Sequence, residues 1–129
     1  MRLVKDVMIS NVVTISPFAK MREALSLMKQ HQIKSLVVEK QNAHDAFGLI
    51  TYSDVLKIVI AEDGDIDLLN VYDICAKPVI SVGEDLGIKH VAKLMTTHRV
   101  KRLLVVNNNE LVGMIAMNDI MEKLLNDIQ

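Results

Sequence analysis

The sequence contains an internal repeat, and this repeat constrains the fold more than any other feature. Residues 48–54 (GLITYSD) recur 65 positions later as residues 113–119 (GMIAMND). In each copy a glycine opens a short apolar stretch typical of a strand, which runs into polar residues typical of a helix start. A repeat of this size predicts two structural units built alike.

The repeat extends to the beginning of the chain at an offset of 67 residues. This offset aligns VKDVM at residue 4 with VYDIC at residue 71, VVTI at 12 with VISV at 79, and HQIKSLVV at 31 with HRVKRLLV at 98. The two residues lost before the glycine fall where a hairpin loop is expected, and loops tolerate such changes. We therefore divide the chain into repeats at residues 1–66 and 67–129.

Each repeat reads as strand, helix, strand, strand, helix. Apolar residues at helical spacing predict a helix opened by Ser16 and Pro17 and a second one capped by Asp85. The first strand is predicted through Val12, Val13 and Thr14. An alternation of apolar stretches and turn residues predicts a hairpin in each repeat, and the second hairpin turns at the three asparagines 107–109.

Composition limits the classes of function. The net charge is -1 and half of the residues are hydrophobic, which argues against nucleic-acid and membrane-surface binding. The single cysteine, Cys75, cannot form an internal disulfide, and neither a signal peptide nor a membrane-spanning stretch is seen, so we expect a cytoplasmic protein. Each repeat, at about 60 residues, is near the lower limit for independent folding.

Neither a catalytic nor a metal-binding motif is present in the sequence. It lacks the Gly-x-Ser-x-Gly, Walker and His-Glu-x-x-His patterns, so we expect no enzyme activity. The acidic residues 62–67 resemble a calcium loop only in part, because Leu68 and Ile74 occupy positions that require Gly and Glu. His31 and His98 are equivalent in the two repeats, which favours a structural role at a helix end over metal binding.

Taken together, the two copies resemble a tandem pair of cystathionine-β-synthase-type (CBS) domains, often called a Bateman module, over essentially the whole chain. The resemblance implies a mixed α/β (α+β) fold of two β-α-β-β-α repeats, packed sheet to sheet with pseudo-twofold symmetry. It also implies two clefts between the repeats that bind adenosine compounds such as AMP, ADP, ATP or S-adenosylmethionine. A carboxylate at a helix start can accept hydrogen bonds from both ribose hydroxyls.

The resemblance assigns site residues to each cleft. In the first cleft Asp54 binds the ribose, with Thr51 and Ser53 beside it, and the other repeat supplies base contacts and phosphate contacts: Val79, Ile80, Ser81, Lys101 and Arg102. The second cleft combines Asp119 with Thr14, Ile15, Lys34 and Ser35. There Ala116 replaces the hydroxyl residue and Ser35 stands where the first cleft has Arg102. We therefore expect a good nucleotide site at Asp54 and a weak or vacant one at Asp119.

Simpler interpretations of the same residues remain open. Asp54 and Asp119 are also suitable helix caps, Thr51 is a common strand residue, and Lys101 and Arg102 can be a solvated pair of cations. Cys75 aligns with Met8 and is expected to be a small buried residue.

Two helices have more apolar surface than one small repeat can bury. Residues 55–60 and 120–128 each present a wide apolar face, and the resemblance implies a homodimer through them. The resemblance thus implies an energy-sensing regulatory module with an adenosine nucleotide as its ligand and an unidentified regulated protein as a partner. The alternatives are a ligand-free dimerisation or protein-interaction module, or a regulatory fragment of a larger enzyme or transporter.

Overall fold

The computed structural model describes residues 2–128, in which six strands and four of the five α-helices follow the predicted order; a short helix before the first strand was not predicted. The first repeat contains α1 (Val4–Val7), β1 (Thr14–Ile15), α2 (Met21–His31), β2 (Ser35–Val38), β3 (Gly48–Thr51) and α3 (Tyr52–Val55), which continues as a π-helix (Leu56–Ala61). The second contains a 3₁₀ turn (Val71–Asp73), β4 (Ser81–Val82), α4 (Ile88–His98), β5 (Arg102–Asn107), β6 (Glu110–Ala116) and α5 (Met117–Asp127). The predicted mixed α/β class with a β-α-β-β-α order is confirmed.

The chain forms two compact units. One is continuous and runs from Val13 to Val79; the other is discontinuous and joins the residues up to Val12 with those from Ile80 onward. Each unit contains one three-stranded sheet. The sheets have the same topology, with a parallel pair, β1–β2 or β4–β5, and an antiparallel pair, β2–β3 or β5–β6.

These compact units differ from the two sequence repeats, because each unit takes in a lead-in segment from the other repeat. In the discontinuous unit, Val4 is fully buried and its amide donates to the carbonyl of Leu86 at 2.8 Å. In the continuous unit, Val71 is fully buried and its amide donates to the carbonyl of Ala19 at 2.8 Å. Both lead-ins are short helical turns whose apolar residues complete a core that lies outside their own repeat.

Each core lies between one face of a sheet and the helices of its unit. Apolar side chains of α2 at helical spacing, Met21, Ala24 and Met28, are buried against the strand residues Leu36 and Ile50. The discontinuous unit repeats this arrangement with other residues, and its buried centre consists of Val91, Met95, Leu103, Val105 and Ile115.

Helix and strand starts differ from the sequence prediction. α2 begins at Met21, not at Pro17, because Ser16 instead closes a turn in which its hydroxyl accepts from the Phe18 amide at 3.1 Å. α4 begins at Ile88 after Gly87, and Asp85 forms an ion pair with Lys5 at 3.0 Å. β1 starts at Thr14, two residues later than predicted. Side chains that favour caps also favour turns, so the sequence left these boundaries open.

The asparagine turn and the histidine positions follow the prediction. Asn108 and Asn109 both have left-handed backbone conformations, with φ of 52° and 66°, and they connect β5 to β6. His31 and His98 are the last residues of α2 and α4. Each helix then ends in a left-handed residue, Gln32 or Arg99.

Candidate functional site

The first candidate site lies where β3 ends and α3 begins. The backbone amide of Thr51 donates to Oδ2 of Asp54 at 2.9 Å, and the Thr51 hydroxyl donates to the same oxygen at 3.2 Å. Asp54 therefore caps its own helix, as the simpler interpretation of its position predicted. Among residues 2–128, Oδ2 accepts both of these hydrogen bonds, and neither of them goes to Oδ1.

This geometry leaves an acceptor at a helix start. Asp54 is only partly buried, so the protein does not fully enclose its side chain. An oxygen held in this way can accept a charge-assisted hydrogen bond without losing the cap. The arrangement is suited to a polar ligand with a free hydroxyl group.

Strand β2 places two of the predicted residues beside this junction. Ser35 pairs with Thr51 in the antiparallel ladder, and the Tyr52 amide donates to the Lys34 carbonyl at 3.2 Å. The Ser35 side chain is buried and Lys34 is exposed. The resemblance assigned both residues to the other cleft, whereas in the continuous unit they are direct neighbours of Thr51.

The second junction, between β6 and α5, is built in the same way. The Ala116 amide donates to Oδ2 of Asp119 at 2.9 Å, Arg102 pairs with Ala116, and the Met117 amide donates to the Lys101 carbonyl at 2.8 Å. Ala116 has no hydroxyl, so the second hydrogen bond that Thr51 makes is missing here. Lys101 and Arg102 thus lie next to the Asp119 junction of their own repeat.

The cavity at this second junction is small. Lys101, Arg102, Ala116, Met117 and Asn118 line a space of about 40 Å³. Pockets that hold drug-sized ligands typically measure about 300–1,000 Å³. Within the discontinuous unit alone, this space is too small to enclose a nucleoside.

The predicted base-contacting residues lie at strand starts. Val79 is partly buried in the continuous unit, and Ile80 and Ser81 lead into β4 of the discontinuous unit, where the Ile80 carbonyl accepts from Leu104 at 3.0 Å. In the other repeat the Thr14 hydroxyl donates to Glu39 at 2.9 Å, and the Ile15 side chain is buried. Ile15 belongs to the core, so its side chain cannot contact a ligand without repacking.

Cys75 carries no sign of a reactive thiol. Burial raises the pKa of its thiol, and the nearby Lys77 offsets this effect only in part. The side chain packs against the core of the continuous unit, with Sγ close to Gly48. Since a thiolate is the nucleophilic form, this environment disfavours covalent chemistry.

The two predicted apolar faces are exposed only in part, since Val55, Val59 and Ile120 pack against the cores. Tyr52, Leu56 and Ile60 form an exposed row along α3 and the π-helix, while Val55, Ile58 and Val59 pack inward. With Ser53 and Val55, this row lines a groove of about 350 Å³. On α5 the exposed apolar residues recur at helical spacing, at Met117, Met121, Leu124 and Leu125, and Ile128 is exposed just after the helix. Ser53, predicted to contact the nucleotide, lies on the groove side of its helix.

The sequence analysis missed two further carboxylates with the same geometry. Asp6 accepts from the Leu3 amide at 2.9 Å, and Asp73 accepts from the Asn70 amide at 3.3 Å. The alignment of VKDVM with VYDIC could have revealed these two capping aspartates, because both occupy the same position in it. Capping by an aspartate three residues after the cap is thus a general device in this chain.

Within residues 2–128, no group of three or more His, Cys, Asp or Glu side chains is arranged to hold a metal ion. Over the same residues, the helices are all too short or too polar to cross a membrane.

Comparison with known sequences identifies two matched segments. The CBS domain family matches residues 4–61 and 71–126. The CBS domain-containing protein YhcV of Bacillus subtilis is 32% identical over 120 residues, which cover 93% of this chain and 84% of YhcV. The inosine-5'-monophosphate dehydrogenase of Methanocaldococcus jannaschii is 34% identical over 92% of this chain, which spans only 23% of that enzyme.

Solved structures share the fold. A hexameric CBS-CP12 protein from bloom-forming cyanobacteria is 32% identical, with a TM-score of 0.90, over 100% of this chain and 76% of the other. The CBS domain pair of protein MJ0100, solved in complex with 5'-methylthioadenosine and S-adenosyl-L-methionine, is 26% identical, with a TM-score of 0.80, over 95% of this chain and 99% of the pair.

Proposed function

Because the chain belongs to the CBS domain family, we propose that it is a regulatory module that binds an adenosine compound and catalyses no reaction. The observation that carries the proposal is the Asp54 carboxylate, which caps a helix through Oδ2 and leaves Oδ1 for a ribose hydroxyl. The complex of MJ0100 with two adenosine compounds supports this ligand class. The choice between AMP, ADP, ATP and S-adenosylmethionine is left to experiment, and with it the energy-sensing role.

We assign the remaining contacts to the residues predicted from the resemblance. Thr51 and Ser53 lie beside Asp54 at the ribose. The base contacts are Val79, Ile80 and Ser81, and the phosphate contacts are Lys101 and Arg102. The Asp119 site, with Thr14, Ile15, Lys34 and Ser35, is the weaker one. Two observations support this ranking: Ala116 has no hydroxyl, and the Ile15 side chain is buried in the core.

Thermal unfolding with a panel of adenosine compounds tests the ligand. We expect one of AMP, ADP, ATP and S-adenosylmethionine at about 1 mM to raise the midpoint selectively, since a ligand at 100 times its dissociation constant adds about 2.7 kcal/mol. Asp54→Ala should abolish the ligand-dependent shift. A wild-type protein that none of the four compounds stabilises would contradict the proposal.

Asp6→Ala is the matched control for this variant. Asp6 and Asp54 accept the same kind of capping hydrogen bond at 2.9 Å, but Asp6 lies at neither predicted site. Both substitutions remove a cap worth about 0.5–2 kcal/mol, so both should lower the midpoint of the free protein. The shift that the ligand causes should disappear in Asp54→Ala alone.

We also propose that the module is a homodimer through the two apolar faces. Leu56 and Ile60 are each 63% exposed, and Leu125 is 61% exposed. Rows of apolar side chains this wide are uncommon on monomers. The hexameric CBS-CP12 protein supports assembly in general, without specifying a dimer.

Light scattering coupled to gel filtration tests the dimer. The wild-type chain at micromolar concentration should elute with twice the mass of one chain, and Ile60→Lys and Leu125→Lys should each give a monomer. Leu68→Lys is the control, because Leu68 is 71% exposed but lies outside both faces. A monomeric wild-type protein would refute the assembly.

A ligand-free structural module is the second candidate, and one observation favours it. Asp6 and Asp73 make the same capping contact as Asp54 and Asp119 without lying at either predicted site. Capping is therefore sufficient to account for the aspartates. A dimer that none of the four adenosine compounds stabilises would support this candidate.

A further inference from the structure

An ion pair connects the loop between β2 and β3 to the segment that precedes β4. Lys77 donates from Nζ to both carboxylate oxygens of Asp45, at 2.8 and 3.0 Å. Asp45 also accepts from the Gln41 amide at 2.9 Å. The contact thus joins residues 32 positions apart within the continuous unit.

This ion pair is better shielded than the others. Its side chains are 34% and 18% exposed, whereas the other three ion pairs found among residues 2–128 have both partners at least 44% exposed. Lys77 and the surrounding backbone amides lower the pKa of Asp45 to about 2. A shielded, bidentate pair fixes geometry more firmly than a solvated surface pair.

The same segment is attached to the edge of β3. Ala76 forms an antiparallel bridge with Leu49, with hydrogen bonds of 2.9 and 3.0 Å, and the Val79 amide donates to the Phe47 carbonyl at 3.4 Å. The second of these attachments is long and weak. Lys77 lies between Ala76 and Val79, so the ion pair reinforces the part of the segment that the backbone hydrogen bonds hold least firmly.

The discontinuous unit has no equivalent ion pair among residues 2–128. Its hairpin turns at Asn108 and Asn109, and the residue aligned with Lys77 is Ser10. The ion pair is therefore one of the features that make the two repeats different. It acts on the segment that ends at Val79, on the unit that contains Thr51 and Asp54.

We infer that Asp45 and Lys77 are positioning residues, which hold Val79 in place beside β3 so that it can take part in the Asp54 site. This inference rests on the proposed function, because it concerns the same ligand. Neither residue is assigned a contact with that ligand. Pre-arranging a binding segment raises affinity by lowering the entropy that binding must remove.

Two measurements test the inference, and only one requires a ligand. The first is hydrogen exchange of the Ala76 and Val79 amides, which should be faster in Asp45→Asn and Lys77→Met than in the wild type. Arg22→Met is the matched control, because it removes the exposed ion pair with Asp67 from the same unit. Unchanged exchange rates in both variants would overturn the inference without reference to any ligand.

The second measurement is calorimetric titration with AMP, ADP, ATP and S-adenosylmethionine. Either single variant should weaken binding about tenfold, and the double variant should weaken it no further, because the residues act as one pair. Lys77→Arg should retain affinity, because a guanidinium keeps the positive charge and can donate to both carboxylate oxygens. Faster exchange with unchanged affinity would overturn the positioning role, whereas a wild type that binds none of the four compounds would instead overturn the proposed function.

Discussion

Asp54 shows how a single side chain can serve both the fold and a ligand. One oxygen closes the turn between β3 and α3, and the other is left for a partner. The sequence could predict the position of this carboxylate, because two copies of the same stretch contained it. It could not predict that one oxygen receives both hydrogen bonds from Thr51, since that depends on the local backbone conformation.

Gly113 offers a test of packing at the scale of one residue. A Cβ atom there would lie 2.8 Å from the Ile9 carbonyl oxygen and 3.0 Å from Sδ of Met8. Gly113→Ala should therefore destabilise the protein by about 1–3 kcal/mol in urea unfolding. Gly83→Ala is the control, because no atom lies within 4 Å of its added Cβ, and equal losses in both variants would contradict the account.

The lowered pKa of Asp45 predicts a specific dependence of stability on pH. Its pKa falls from 3.8 to about 2 in the folded protein, chiefly through the hydrogen bond from Lys77. A lowered pKa stabilises the fold above pH 4, and this stabilisation is lost as the pH falls towards 2. Lys77→Met should therefore be less stable than the wild type at pH 7, and the difference should close by about pH 2.

Urea unfolding between pH 7 and pH 2 measures this difference. Lys29→Met, on the exposed side of α2, is the control and should show no such trend. A deficit in Lys77→Met that stays constant down to pH 2 would contradict the assignment of the stabilisation to the ion pair.

At the scale of the element, the order of helices and strands was predictable and their ends were not. Periodicity located α2 and α4, but Ser16 closes a turn and Asp85 pairs with Lys5. The change from α-helix to π-helix at Leu56 was also outside the prediction. Five apolar residues between Val55 and Ile60 indicated a wide apolar face. They did not show that the helix widens to a π-helix, or that some of these residues face the core and others the surface.

The end of α2 provides a test at this scale. Gln32 has a left-handed backbone with φ of 53°, a conformation that favours glycine. Gln32→Gly should stabilise the protein by about 0.5–1 kcal/mol in thermal unfolding. Gln30→Gly, inside the helix, should instead cost about 1 kcal/mol; the same sign for both substitutions would show that this cap geometry is wrong.

At the scale of the whole molecule, the repeats and the compact units divide the chain differently. The family matches residues 4–61 and 71–126, whereas the continuous unit runs from Val13 to Val79. The sequence could not reveal this exchange, because a repeat shows which segments are alike but not which of them pack together. Only the buried positions of Val4 and Val71 identify the cores that the lead-in segments complete.

Two fragments of nearly equal length test this exchange. Residues 13–79 contain a complete unit, while residues 1–66 lack Val71 and Ile74, which are both buried in that unit. Burying one such side chain contributes about 1.5–3 kcal/mol, a large share of the stability of a small domain. We expect dispersed amide signals and cooperative unfolding for 13–79, and neither for 1–66.

Equal behaviour of the two fragments would contradict the division into these units. Adding a peptide of residues 66–79 to the fragment 1–66 provides a further check, because it restores the missing lead-in segment. It should recover part of the dispersed spectrum, whereas a peptide with Val71→Asp and Ile74→Asp should not.

The most direct test of the central claim is calorimetric titration of the whole chain with the adenosine compound that stabilises it most. We predict one binding event per chain, lost in Asp54→Asn and retained in Asp119→Asn, because only the Asp54 junction has both a free carboxylate oxygen and a neighbouring hydroxyl. Two events of equal affinity, or loss of binding in Asp119→Asn alone, would contradict the account.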